Sequence, residues 1–150
     1  MKKGSFDSGF VMIEVLIYIF ILSLIFLFFI FANRLRDMKI DFFIKEFVTN
    51  MEIIKSENMK GNNEALIIIN NNQSYINYNF IIDKDDNKSV DSISNLNFLK
   101  APKFIKFSKD GRYLNQGETI IIKDKKDNKL YKITIIPMSG RISYKGVFYE

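Results

Sequence analysis

The stretch Ser8–Ala32, SGFVMIEVLIYIFILSLIFLFFIFA, decides how the rest of the chain is read. From Val15 to Ala32 it runs for 18 residues without a charge, and Ser23 is the one strongly polar side chain among them. A helix needs roughly 18–20 apolar residues to cross a hydrocarbon core of about 30 Å, so this segment belongs in a membrane or in a closely packed helical bundle. One charge interrupts the wider apolar block, at Glu14. A carboxylate at the centre of a bilayer costs on the order of 2.5–3.5 kcal/mol, and Glu14 therefore calls for a partner or a function.

The order Gly9-Phe10, then Val11-Met12-Ile13-Glu14-Val15-Leu16, follows a short leader carrying Lys2 and Lys3. It resembles the type III signal of type IV pilins and type II secretion pseudopilins. The resemblance implies that a prepilin peptidase on the cytoplasmic side cuts after Gly9 and that the new amine of Phe10 is methylated. Glu14 is then implied to pair with the N-terminus of a neighbouring subunit during filament assembly, and the apolar helix stays in the mature protein. Such a cut makes chemical sense of Glu14. It would leave Phe10 as a cationic N-terminus with Glu14 one helical turn inside, where the helix dipole favours a carboxylate by roughly 0.3–1 kcal/mol and the ammonium adds to that.

The chain departs from the family pattern in three places. Ser8 stands where a basic residue is common, Val11-Met12 where Thr-Leu is common, and Phe31 where many pilins have a kinking proline. A straighter helix is expected. Two plainer readings of the same stretch are a cleaved secretory signal and a generic anchor. A secretory apolar region spans about 7–15 residues and ends in small residues, which Ile30-Phe31-Ala32 does not supply. Lys2 and Lys3 on one flank face Arg34, Arg36 and Lys39 on the other, so basic residues do not set the orientation. The family signal implies a single-pass protein of the inner or cytoplasmic membrane, with its N-terminus cytoplasmic, its C-terminal domain outside, and a filament as its destination.

About 118 residues follow the apolar helix, enough for one modest soluble domain with its own core. The formal net charge is +5. Removing residues 1–9 takes away Lys2, Lys3 and Asp7 and leaves +4 from side chains, spread without a dense basic run. The chain contains neither cysteine nor histidine. It therefore has no disulfide, no thiolate metal site, and neither the commonest general base nor the commonest metal ligand. No enzymatic activity and no cofactor are expected.

Four segments are expected: a leader over 1–9, a transmembrane and assembly helix over 10–32, an amphipathic continuation over 33–60, and a β-rich pilin-like domain over 61–150. Ile40, Phe43, Ile44, Phe47, Val48, Met51 and Ile54 recur at spacings of three and four, with Lys39, Asp41, Lys45, Glu46, Glu52 and Lys55 between them. Gly61 supplies a stop. The period then changes to two: Ile76, Tyr78, Phe80 and Ile82 alternate with Asn77, Asn79 and Ile81 in a strand over Ser74–Ile82, partnered by Ala65–Ile69. Further strands are expected at Lys103–Phe107, Thr119–Lys123 and Leu130–Ile136, the last two paired across Asp124–Lys129, with a short final strand at Arg141–Tyr144. The fold class is α+β, a long N-terminal helix whose amphipathic second half packs on a small antiparallel sheet.

Phe107-Ser108-Lys109-Asp110-Gly111-Arg112, Gly117-Glu118-Thr119-Ile120 and Ile133-Thr134-Ile135 with Ser139-Gly140-Arg141-Ile142 carry a second resemblance, to H-type minor pseudopilins and related minor pilins. Their glycines are expected where a hairpin needs positive φ or close backbone approach. Asp83–Asn87 has the alternating oxygens of a calcium loop, but Lys88 replaces the required glycine and Ser94 the bidentate glutamate, so a solvated loop is expected. Asp124–Lys129 is read as a polar hairpin end. Most of Tyr75, Tyr78, Phe104, Phe107, Tyr113, Tyr144 and Tyr149 are assigned to core packing, the rival being aromatics interleaved with lysines on single-stranded DNA.

The sites are thus Gly9 and Phe10 for processing and Glu14 for assembly, with prepilin peptidase, other pilin or pseudopilin subunits and membrane lipid as partners. Two alternatives stand beside this reading: a DNA-contacting subunit of a competence-type pilus, and a membrane-anchored binding protein outside any filament. The N-terminal peptide of protein recovered from native membranes separates them by mass. It is expected to begin at Phe10 with one added methyl group, whereas a peptide containing Met1–Gly9 identifies the simple anchor.

Overall fold

The computed structural model describes residues 6–62, 64–71, 76–83, 86–91 and 96–149. A single helix, α1, spans Phe6–Met59, and the chain divides into two compact units between Ile40 and Asp41, inside that helix. The segment read as a leader contributes Phe6–Gly9 to α1. Adding residues to an existing helix avoids the nucleation cost, so a few flanking residues follow readily.

In the first unit every side chain from Phe10 to Leu35 is exposed. An 18-residue window of α1 has a mean hydropathy of 3.1 and no burial, so the helix is long and apolar enough to cross a membrane. Apolar surface of that extent needs a cover other than water. The helix continues through Phe31 without interruption.

In the second unit α1 is striped. Phe43, Ile44, Phe47, Met51 and Ile54 are buried, as is Ile40, while Val48 is half-buried. Gly61 ends the helix at φ +102°. The amide of Asn62 donates to the Glu57 carbonyl at 3.1 Å and that of Gly61 to the Asn58 carbonyl at 3.0 Å, the paired bonds of a Schellman cap. The buried Asn58 side chain donates from Nδ2 to the Ala65 carbonyl at 2.9 Å and ties this cap to the first strand.

The strands are β1 (Leu66–Asn71), β2 (Ile76–Asp83), β3 (Asp86–Asp91), β4 (Leu96–Lys100), β5 (Phe104–Ile105), β6 (Glu118–Asp124), β7 (Lys129–Ile136) and β8 (Arg141–Tyr149). They form two antiparallel four-stranded sheets, ordered β3-β2-β1-β5 and β4-β6-β7-β8, where one small sheet was expected. The expected β1–β2 and β6–β7 pairs are present, with Leu66 opposite Ile81 and Ile120 opposite Ile133. β3 and β4 were not foreseen, the strand expected at Lys103–Phe107 is reduced to two residues, and the last strand reaches Tyr149. Alternation is as read in β7, where Tyr131, Ile133 and Ile135 are buried, and in β2 for Ile76, Tyr78 and Phe80; Ile82, expected on the same face, is half-buried because the register shifts between Ile81 and Asp83.

Phe47 joins the layers. Its ring lies 4.8 Å from that of Tyr78 on β2 and 5.9 Å from that of Phe98 on β4, one in each sheet. Phe43 adds an edge contact to Tyr78 at 6.0 Å.

Two glycines are required by geometry. Gly140, at φ +57°, lies so close to the Gly111 backbone that an added Cβ would stand 1.9 Å from the Gly111 oxygen. Gly111, at φ +74°, faces Met59 of α1, whose sulfur a Cβ would meet at 2.9 Å. At Gly61 a Cβ would meet nothing within 4 Å. Gly140→Ala is therefore expected to cost about 3 kcal/mol, from overpacking and left-handed strain together. Gly61→Ala, with strain alone, should cost about 1 kcal/mol. Denaturant unfolding of the detergent-solubilised chain measures both, and equal costs would show that the close approach of the two turns contributes nothing.

Candidate functional site

At the N-terminal end, Gly9 and Phe10 both lie within α1, and Phe10 is exposed. Phe10, Ile13, Glu14, Ile17 and Tyr18 share one face of the helix. The Tyr18 hydroxyl donates to Glu14 Oε1 at 3.1 Å across one turn. Ser23 Oγ donates to the Phe20 carbonyl at 2.7 Å, so its hydroxyl is satisfied within the helix, as an apolar environment demands. A carboxylate offers about four acceptor positions, of which Tyr18 occupies one. What remains is a negatively charged acceptor on an otherwise apolar face. That arrangement can attract a cation. Tyr18 was not singled out from sequence, although its i+4 spacing from Glu14 was the signal available.

The segments that carry the second resemblance meet in the other unit. A tight turn closes Ser108–Arg112: the Ser108 amide donates to the Arg112 carbonyl at 2.8 Å and the Gly111 amide to the Ser108 carbonyl at 2.9 Å. The Gly140 turn packs on it, and Lys55 of α1 donates from Nζ to the carbonyls of Ser139 at 3.3 Å and Gly140 at 3.1 Å. Phe107 and Tyr113 pair as a bridge, with ring centroids 5.7 Å apart. Gly117 has the close-approach reason rather than positive φ, since a Cβ there would meet the Pro137 ring at 2.8 Å. These segments thus form one structural knot. Lys55 had been placed on the polar face of its helix, and nothing local in the sequence marks the carbonyls it reaches.

The other candidate sites are structural where they are described. Asp83 ends β2 opposite Asp86, which opens β3, so the calcium-like run is the end of a hairpin. Its Lys84 and Asp85, together with Ser94, lie outside the described residues. At Asp124–Lys129, Asn128 adopts φ +53° and the Lys126 amide donates to Asp124 Oδ1 at 2.9 Å, making a compact turn between β6 and β7. Tyr78, Phe107 and Tyr113 are buried, Tyr144 is half-buried and Phe104 is exposed. Tyr75 lies outside the described residues, as does the side chain of Tyr149.

Burial shapes the tyrosine chemistry. It pushes the Tyr78 phenol well above its ordinary range, opposed by the hydrogen bond that Asn50 Nδ2 donates to the hydroxyl at 2.9 Å and reinforced by the charge of Glu46. Tyr113 is raised in the same way. Burial dominates, the bond from Asn115 opposes it, and the Glu118 carboxylate, which accepts from the Tyr113 hydroxyl at 2.9 Å, reinforces it. Tyr144 is raised by burial and then by the charge of Asp41.

Compared with family models, curated proteins and solved structures, the chain matches none of them.

The raised phenols fix the sign of a pH dependence. Each folded tyrosine holds its proton more tightly than the unfolded one, whose pKa is about 10. The stability this contributes is complete below about pH 10 and is lost as the pH rises through the raised values. The denaturation midpoint is expected to hold up to about pH 9 and to fall above about pH 10. Tyr78→Phe and Tyr113→Phe should each flatten that fall, and an unchanged alkaline profile in both variants would show that these phenols are not its source.

Proposed function

We propose that this chain is a minor pilin or pseudopilin, a structural subunit of a type IV pilus-like or type II secretion-like filament. It is cleaved between Gly9 and Phe10 by prepilin peptidase, stored in the membrane by Val15–Ala32, and extracted into a bundle where that segment packs against other subunits. The observation that carries this reading is Glu14: a lone carboxylate on the apolar face shared by Phe10, Ile13, Ile17 and Tyr18, one turn inside the Gly9-Phe10 junction. In a bilayer that group is a liability of a few kcal/mol, and a cationic N-terminus from a neighbouring subunit relieves it. The striped half of α1 supports the same reading, because its buried face is covered by a β domain of the chain's own while Phe10–Leu35 is left exposed. The protein's role is then assembly rather than catalysis, with Glu14 selecting register.

Glu14→Val tests this. The variant is expected to be cleaved at Gly9 to nearly the normal extent, because the apolar signal is intact, and to be poorly incorporated into sheared filaments. Incorporation at the wild-type level would remove Glu14 from assembly. A variant that stays uncut and still functions at the membrane would instead favour the simple anchor.

A further inference from the structure

The outward face of the β4-β6-β7-β8 sheet is cationic. Register sets its rows. Lys100 on β4 lies opposite Ile121 on β6, Ile121 opposite Lys132 on β7, and Lys132 opposite Lys145 on β8. In the next row Lys123 lies opposite Leu130, and Leu130 opposite Phe148. On the other side of the lysine row Thr119, Thr134 and Ser143 make a row of hydroxyls. Arg141 extends the charge beside Ile136. Among the described outward positions of these strands there is no carboxylate. Lys132 and Lys145 are exposed and directly opposed, a like-charge pair that destabilises the free sheet and is relieved by a bound anion.

The same two lysines flank a depression of about 310 Å³ whose other lining residues are Ile121, Leu130 and Phe148. Volumes of roughly 300 Å³ and above hold small ligands. Ile121 and Leu130 are half-buried and give it an apolar lining, while Phe148 presents an exposed ring. We propose that this face binds single-stranded nucleic acid, with a base seated against Phe148 on the apolar lining and the adjoining phosphates held by Lys132, Lys145 and Lys100. Hydroxyls beside cations are the usual companions of phosphate oxygens. The alternatives use less of the surface. An acidic polypeptide would answer the charges and leave the ring seat empty, a duplex would keep its bases stacked away from Phe148, and a membrane would need apolar residues that protrude beyond the lysines. This inference is independent of the filament reading, since the face exists whether or not the chain assembles.

The full chain in uncharged detergent, titrated into a fluorescein-labelled oligodeoxythymidylate and followed by anisotropy, tests it. Saturable binding is expected, weakening with salt at a slope of about −0.7 per phosphate contacted. The double variant Lys132→Gln/Lys145→Gln should bind at least about tenfold more weakly at low salt, with the slope shallower by about 1.4. Phe148→Ala should weaken binding about tenfold at every salt concentration and leave the slope unchanged. Lys109→Gln, in the turn at Ser108–Arg112, should change nothing, and matching circular dichroism spectra exclude unfolding as the cause. Absence of binding at low salt overturns the proposal, as does an equal loss from Lys109→Gln. Full displacement by polyglutamate at equal charge concentration assigns the face to acidic protein and overturns it too. Equal affinity for duplex, with no effect of Phe148→Ala, overturns the base seat.

Discussion

The ring of Phe47 is the contact on which the β domain depends. No strand of one sheet pairs with a strand of the other among the described residues, so hydrogen bonding alone leaves two separate ladders. The chain passes between them three times, after β3, β4 and β5, yet connections do not fix how sheets pack. Side chains on α1 supply that constraint: Phe47 meets Tyr78 in one sheet and Phe98 in the other, and the buried stripe from Phe43 to Ile54 fills the space around it. Each aromatic pair adds about 0.5–1.5 kcal/mol beyond the area it buries. The hydroxyl of Tyr78 keeps its bond to Asn50, so the aromatic junction is built without stranding a polar group.

α1 meets its surroundings with two kinds of surface. From Phe10 to Ala32 it is exposed and apolar but for Glu14 and Ser23; from Phe43 to Ile54 it has a buried stripe and a polar remainder. The first kind of surface is suited to lipid or to identical neighbours, which present the same residues at the same spacing. The second is suited only to its own β domain. That asymmetry is why Glu14 carries the assembly reading, while the glycine turns and buried phenols of the β domain serve its stability.

Much of this was legible in the sequence because burial left a period behind. The stripe of α1 and the alternation in β2 and β7 are each set by one buried face, and those elements lie where the residues place them. β3 left no such mark. Asp86–Asp91 is a polar edge strand recruited by the β2 hairpin, with Val90 as its one large apolar residue. In β4 the pattern Leu96-Asn97-Phe98 is cut off by the bulge at Leu99, and in β8 Gly146 is an extra residue that breaks alternation before Phe148. A bulge shifts every later side chain to the other face, so a period-two reading stops where the strand continues. The lysine row was hidden for another reason. Lys100, Lys132 and Lys145 are far apart in the chain and become neighbours only through register. Gly9, Phe10 and Glu14, on which the proposed function rests, lie within six residues of one another, so proposing them needs no fold.

The strand order also sets a timetable for synthesis. β1, β2 and β3 are consecutive neighbours and can pair as soon as each hairpin is complete. β4 cannot, because its one partner is β6, and Glu118–Asp124 is made only after β5 and the turn at Ser108–Arg112 have emerged. Until then Leu96 and Phe98 have no ladder to hold them against Phe47, and half of the aromatic junction stays open to water. The nascent domain therefore waits, with its helix already long enough to enter a membrane, for its last third to close the core.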